Sequence, residues 1–118
     1  ATGAFSAGEH RFGVHAGEIE TSMMLALAPQ LVRMDAAQDF RSSSEQRAAD
    51  YAILGNGRSA KLGWAIEDYN AHGAAGNAAA ATAPAGQAVV DAAAAQLALL
   101  LAEVSRLPLS TANTGPLP

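Results

Sequence analysis

The segment GVHAGEIETSMML, residues 13–25, places a histidine, two carboxylates and two hydroxyls directly ahead of an apolar run. A neutral imidazole at His15 can accept or deliver a proton near pH 7, and the carboxylate of Glu20 can orient the ring or stabilise its charged form. Gly13 and Gly17 leave room beside the imidazole for a ligand or another backbone. The segment therefore predicts a proton-transfer pair, with a surface-loop histidine and a helix-capping acid as the simpler alternative.

The other polar residues of this segment have simpler explanations. Thr21 or Ser22 is predicted to cap a helix, and Glu18 is predicted to be a solvated first-turn acid because residues two apart do not share a helix face. A Ser/His/Asp hydrolase built from Ser22, His15 and Asp35 is the rival interpretation. The chain lacks the Gly-x-Ser-x-Gly turn of such enzymes, so the helix cap is favoured for Ser22.

The elements that must position the pair are predicted as follows. Residues 1–17 are rich in glycine and small side chains and predict a loop, with a short strand near 12–14. A helix is expected to start at Thr21 or Ser22. It is expected to end or kink at Pro29, which lacks a backbone donor and clashes with the preceding turn.

The middle of the chain gives weaker signals. Residues 45–54 predict a short helix that is stopped by the Gly-Asn-Gly at 55–57. Residues 61–66 alternate weakly and predict a short strand, in which Trp64 is expected to belong to the core. Residues 67–78 predict a loop rich in glycine and asparagine.

The clearest element is a long helix over 83–107. Thr82 is its predicted cap, and Pro84 lies in the first turn, where its missing N–H costs little. Residues 108–118 lack periodicity and predict a tail after a single domain over 1–107. One helix face is predicted to be buried because its apolar residues recur at helical spacing, namely Val90, Ala93, Ala94, Leu97, Leu100, Leu101 and Val104.

Composition limits the classes of function. The chain has 118 residues, a net charge of −4 and no cysteine, so it predicts no nucleic-acid surface, disulfide or thiolate metal site. The start has no signal-peptide pattern, and the apolar run at 92–102 is too short to span a bilayer. These features favour a cytoplasmic protein that does not contact a membrane. His10 and His72 are predicted to be solvated loop residues.

Two blocks of the sequence resemble the creatininase (creatinine amidohydrolase) family. HAGEIETSMMLALAPQLVRMD, residues 15–35, is similar to the family's signature, His-Ala/Gly-Gly-x-x-Glu-Thr-Ser followed by an apolar helix that closes in Pro-x-Leu-Val. GWAIEDYNAHGAAGNAAAAT, residues 63–82, is similar to a second block with a Gly-x-x-Gly-Asn loop. The matching residues are His15, Gly17, Glu20, Thr21, Ser22, Pro29, Leu31 and Val32 in the first block and Gly73, Gly76 and Asn77 in the second.

The resemblance implies a fold and an activity. The fold would be α/β, the C-terminal part of a three-layer αβα domain with a mainly parallel sheet, assembled into closed oligomers. The activity would be metal-dependent hydrolysis of a small-molecule substrate at a cyclic amide, formamide or related C–N bond. The resemblance implies that His15 contacts the substrate and handles the proton at the scissile nitrogen, while Glu20 supports the histidine.

The sequence departs from the family pattern at the metal site. The family's metal ligands lie in its N-terminal half, and no His-x-His, His-x-x-x-His or Glu-x-His spacing exists in this chain. We therefore expect zinc, manganese or iron to be held by residues outside this chain. Those residues would belong to an N-terminal segment or to a separate chain that carries the N-terminal half of the fold.

A second departure concerns the substrate. Creatinine-cleaving members place a tryptophan just ahead of the histidine motif, whereas this chain reads EHRFGVH at residues 9–15. Phe12 is expected to offer a ring face and Arg11 to meet an anionic group, with loop packing and a solvated charge as the simpler alternatives. The departure disfavours creatinine itself and leaves amide hydrolysis as the class.

Two other functions stay open at this point. The chain could be a non-catalytic half-subunit that completes the cleft of another chain. It could also be a small alanine-rich helical interaction module in which residues 15–22 form a helix-entry loop. The module predicts a stable monomer without metal and without a cleft at His15.

Overall fold

The computed structural model describes residues 3–54, 60 and 62–112. In this part of the chain, helices and 3-10 turns surround one small sheet. The helices are α1 (Ala7–Phe12), α2 (Glu18–Leu27), α3 (Ser44–Asp50), α4 (Ile66–Tyr69) and α5 (Ala83–Arg106), and the strands are β1 (Asp39–Phe40) and β2 (Gly76–Asn77). Single 3-10 turns cover Pro29–Leu31, Met34–Ala36, Ala78–Ala80 and Leu109–Thr111.

Helix α1 occupies six residues within the loop that was expected over residues 1–17. Ser6 is its N-cap, and the Ser6 hydroxyl accepts a hydrogen bond from the Glu9 amide at 3.0 Å. Residues 3–6 and 13–17 are loop as predicted, whereas a loop over 7–12 and a strand near 12–14 were wrong. Ser-Ala-Gly-Glu at 6–9 has the spacing of a capping box, a start signal that outweighs the small residues around it.

The N-cap of helix α2 lies four or five residues before the predicted cap at Thr21 or Ser22. Its N-cap is Gly17, which has no side chain to cap with, and Thr21 and Ser22 lie inside the helix. The assignment of these two hydroxyls as caps was therefore wrong. The end of the helix at Leu27, two residues before Pro29, confirms the expected stop.

Helix α5 confirms the prediction of a long helix capped by Thr82. The Thr82 hydroxyl accepts a hydrogen bond from the Ala85 amide at 3.3 Å. The first turns of α5 cross α2 closely, with Gly86 buried against Ser22. The fully buried Ser22 hydroxyl accepts a hydrogen bond from the Thr82 amide at 3.0 Å, so one side chain joins the two helices at the start of α5.

The rest of α5 leaves its apolar residues uncovered. Leu97, Leu100, Leu101 and Val104 are between 52% and 60% exposed, so the prediction that they form a buried face is wrong within the described chain. By length and composition alone, α5 is also apolar enough to cross a membrane, which the run at 92–102 considered by itself was not. These apolar residues do share one face of α5, an apolar stripe, but no described residue packs on this stripe along most of its length.

The sheet is one short antiparallel pair. Asp39 lies opposite Asn77, and Phe40 lies opposite Gly76. The chain thus mixes helices with a small sheet, while a mainly parallel sheet and a second helical layer are not found among the described residues. The alternation at 61–66 did not produce a strand, since 62–65 are irregular and α4 follows.

The middle segments follow the sequence in part. Helix α3 confirms a helix within 45–54 but ends at Asp50, and the predicted stop at 55–57 lies outside the described residues. Trp64 is 48% exposed, and its ring packs edge-on against the Tyr69 ring with 4.7 Å between the ring centroids. Its assignment to the core was therefore wrong. Of the predicted tail, 108–112 forms one 3-10 turn, and the remainder is not described.

Candidate active site

The backbone of His15 is held by an isolated antiparallel bridge to Ala75. The Val14 and His15 amides donate to the Ala75 carbonyl at 2.8 and 3.2 Å, and the Ala75 amide donates to the His15 carbonyl at 2.8 Å. Ala75 is fully buried, so the bridge ties the exposed histidine to a buried segment of backbone. The two family-like blocks of the sequence therefore meet at His15.

The residue after the histidine adopts an uncommon conformation. Ala16 has a φ of 51°, in the left-handed region that non-glycine residues seldom occupy. The Ala16 amide donates to a Glu20 carboxylate oxygen at 2.6 Å, and this bond helps to hold the turn. Strained backbone of this kind clusters at functional sites, and here it lies between His15 and Glu20.

The turn brings the predicted pair together. Nδ1 of His15 lies 3.5 Å from Oε2 of Glu20, and both side chains are more than half exposed. The separation exceeds an ordinary N–H···O hydrogen bond, but it is short enough for the carboxylate to stabilise a positive ring. Nδ1 is the ring nitrogen that faces the carboxylate, so Nε2 is the nitrogen on the other side of the imidazole.

A groove of about 420 Å³ opens beside this pair, a volume within the range of small-molecule sites. Its wall is mostly apolar and comes from α2 and the 3-10 turns that follow it. Among the described residues that line it, Arg33 is the one cationic side chain. The pair stands at the edge of this groove. The other lining residues are Ala16, Thr21, Met24, Leu31, Val32, Ala36, Ala37, Phe40 and Ala78.

Arg11 and Phe12, the predicted substrate-binding residues, lie at the end of α1. The Arg11 guanidinium stacks on the Phe12 ring with 4.8 Å between its carbon and the ring centroid. Phe12 lines a separate cavity of about 330 Å³ that also includes Asp39 and Arg41, and neither residue lines the groove of His15 and Glu20. Their contact with substrate stays a prediction.

The implied metal does not fit the residues present. No group of three or more His, Asp or Glu side chains that could hold a metal ion occurs within 3–54, 60 and 62–112. His10 is exposed on α1 near Phe5, and His72 is exposed near Phe40, so neither joins the pair. The pair itself offers one imidazole and one carboxylate, which is fewer ligands than a zinc site uses.

Glu9 is the residue of this region that sequence reasoning missed. It is 7% exposed, and its carboxylate accepts hydrogen bonds from the amides of Glu18 and Ile19 at the start of α2. Burial, and secondly the negative charge of Glu9, raise the pKa of Glu18 above its ordinary value. The capping-box spacing from Ser6 to Glu9 was the available signal, although it predicts a carboxylate that turns back to its own helix.

Comparison with known proteins identifies the family. The family model described as creatinine amidohydrolase matches residues 1–101. The chain belongs to the creatininase family. The matched range contains His15, Glu20 and Glu9, and both sequence blocks that carried the resemblance.

A solved structure shows the same relationship in three dimensions. The crystal structure of a proposed creatinine amidohydrolase from Bacteroides fragilis superposes with a TM-score of 0.70 at 30% sequence identity, over 92% of this chain. The chain spans only 40% of that protein's length. No match was found among curated proteins.

Proposed function

We propose that this chain supplies the proton-transfer side of a metal-dependent amidohydrolase of the creatininase family. The observation that carries the proposal is the His15–Glu20 pair at the edge of a groove, inside the residues that match the family. The substrate class is a small molecule with a cyclic amide, a formamide or a related non-peptide C–N bond. The apolar wall of the groove supports a compact substrate over a long polar one.

In this proposal His15 protonates the departing nitrogen. Cleavage of an amide needs a proton on the leaving nitrogen, because an amide anion is a poor leaving group. Nδ1 faces Glu20, so a protonated ring is stabilised on that side and presents its second N–H to the substrate. Glu20 acts on the ring rather than on the substrate, and its hydrogen bond from Ala16 keeps the carboxylate in place.

We propose that the metal ligands lie outside this chain. When bound, zinc, manganese or iron would polarise the scissile carbonyl and make a bound water acidic. The described residues do not form such a site, so the protein needs a second source of ligands. An N-terminal segment or a separate chain with the N-terminal half of the fold is that source.

The large exposed surface of the chain supports the proposal that a further part of the fold packs against it. Its accessible surface is 8337 Å², whereas a compact protein of 11.9 kDa exposes about 6,000 Å². The radius of gyration is 18.5 Å, against about 13–14 Å for a compact domain of this length. Among the described residues, the buried hydrophobic ones are Phe5, Ala74, Ala75, Ala78 and Ala81, a thin core for a domain that folds alone.

We propose that this further part of the fold covers the apolar stripe of α5, formed by Leu97, Leu100, Leu101 and Val104. Covering it would complete the layered α/β fold and exclude water from the half-exposed His15–Glu20 pair. A protein partner is favoured over a membrane because the start of α5 is anchored on α2, next to the site. Further copies of the completed unit would then assemble into a closed oligomer.

The two rival functions make different demands. A non-catalytic half-subunit would complete another chain's cleft, so loss of His15 would leave turnover intact. A helical interaction module would have no cleft at His15, which the 420 Å³ groove argues against.

Glu20→Gln tests the role of the pair in the native assembly. Glutamine can still accept the Ala16 amide but carries no charge, so the turn is kept while the support of a protonated His15 is lost. We expect kcat for amide hydrolysis to fall about 10²-fold, the usual size of a general acid–base effect. The control is Glu18→Gln, since Glu18 lies in the same first turn but does not contact His15; equal kcat in both variants would remove Glu20 from the mechanism.

A further inference from the structure

Glu9 carries a buried negative charge that is balanced by backbone amides alone. Within the described residues, no Lys, Arg or His lies at ion-pair distance from its carboxylate. Oε1 accepts from the Glu18 amide at 2.7 Å and more weakly from Ile19 at 3.4 Å, and Oε2 accepts from the Asn77 amide at 3.0 Å. A buried carboxylate is tolerated only where such donors replace water.

Three glycines make room for this carboxylate. A Cβ at Gly13 would lie 2.6 Å from the carboxylate carbon of Glu9, and a Cβ at Gly76 would lie 2.9 Å from Oε1. A Cβ at Gly17 would overlap the same oxygen and approach the Cα of Gly76 to 2.8 Å. The backbone at both ends of the 13–17 turn and at β2 therefore closes around one side chain, and a larger residue at any of these positions would force neighbouring atoms to shift.

Glu9 fixes both ends of the turn that presents His15. The Gly13 amide donates to the Glu9 carbonyl at 2.8 Å, and the Glu18 amide donates to the Glu9 carboxylate. The bond to Asn77 holds β2, which begins one residue after Ala75, the partner of the His15 backbone. Both ends of the turn, and the strand next to its bridge partner, are thus tied to this one residue.

We infer that Glu9 is a positioning residue that holds the His15 turn against α2 and β2, so that the imidazole and Glu20 keep their catalytic separation. The inference rests on the proposed function for its consequence on turnover. A carboxylate is required because three N–H donors converge on two oxygens, and an amide would turn its own NH₂ toward one of them. The negative charge also suits the N-terminus of α2.

Glu9→Gln in the native assembly tests this role. We expect kcat to fall about 10²-fold, as for a displacement of roughly 1 Å at a reacting group, with KM changed less than about twofold. The matched control is Ser6→Ala, which removes the cap of α1 but leaves the carboxylate and its three donors intact. If Glu9 only stabilised the fold, kcat in each variant would fall in proportion to its loss in free energy of unfolding. That result would overturn the inference.

Two readouts do not depend on turnover. In Glu9→Gln the amide proton resonances of Glu18 and Asn77 should lose the downfield shift of a charge-assisted bond, and the His15 ring resonances should move, while Ser6→Ala changes neither. If the Gln variant does not fold, hydrogen exchange of the wild-type assembly decides. The amides of Glu18, Asn77 and Ala75 should then open as one unit, and independent opening would contradict the role.

These readouts separate the two proposals. Absence of amide hydrolysis by the wild-type assembly, with the resonance and exchange changes as expected, would remove the proposed function and leave Glu9 as the anchor of the turn. Normal hydrolysis with unchanged kcat and unchanged His15 resonances in folded Glu9→Gln would remove the positioning role alone.

Discussion

His15→Ala is expected to lower kcat for amide hydrolysis by about 10²–10⁴-fold in the native assembly while its metal content stays unchanged. The imidazole is the group at the groove that can deliver a proton near neutral pH, and its removal leaves the scissile nitrogen without a donor. The backbone bridge to Ala75 does not involve the side chain, so the turn is kept. Turnover and metal are measured on the same sample.

His10→Ala is the matched control for this variant. His10 is an exposed histidine on α1 and does not line either cavity that contains His15. Its removal is expected to leave kcat within about twofold. Equal turnover in the His15 variant and the wild type would assign the chain to the non-catalytic half-subunit, whereas loss of metal would make His15 a ligand rather than a proton donor.

Gly86→Ala is expected to destabilise the protein by at least about 3 kcal/mol, the upper end of the range for overpacking. An added Cβ would overlap the carbonyl of Ser22 and lie 2.7 Å from the Met23 amide nitrogen, so backbone rather than a flexible side chain would have to move. Separation of α2 from α5 would also strip the buried Ser22 hydroxyl of its bond to Thr82. Denaturant unfolding followed by circular dichroism measures the loss.

Gly8→Ala is the control for this substitution. It lies inside α1, where an added Cβ would meet only the Ser6 hydroxyl at 3.7 Å, an ordinary contact. Alanine also favours a helix over glycine, so stability should be unchanged or slightly raised. If the Gly86 variant unfolds at the wild-type denaturant concentration, the close crossing of α2 and α5 is not a feature of the protein.

The sequence predicted the proximity of His15 and Glu20 better than the backbone around them. The two residues lie five apart, and a turn into a helix is enough to bring their side chains together, so local rules anticipated this contact, while its catalytic role stays a prediction. Glu9 was missed because its partners, Glu18 and Asn77, are distant along the chain and its role depends on how three segments meet. No local pattern specifies which backbone amides a buried carboxylate will find.

The fold was predictable where one segment decides its own structure. The cap at Thr82 and the apolar periodicity after it predicted helix α5 correctly, and Pro29 predicted the end of α2. Burial was not predictable in the same way, because apolar periodicity marks one face of a helix without specifying what packs on it. Leu97, Leu100, Leu101 and Val104 of α5 stay more than half exposed in the described part of the chain. The core position predicted for Trp64 was wrong because it rested on a weak alternation at 61–66, whereas helix α4 begins at Ile66.

Analysis of the native protein by intact mass and metal content tests the central claim most directly. We expect amide hydrolysis and stoichiometric zinc, manganese or iron to belong to a species larger than the 11.9 kDa chain, one that contains the missing metal ligands. A folded, metal-free monomer of 11.9 kDa as the whole native species would contradict it, and the amidohydrolase proposal would then fail for this polypeptide.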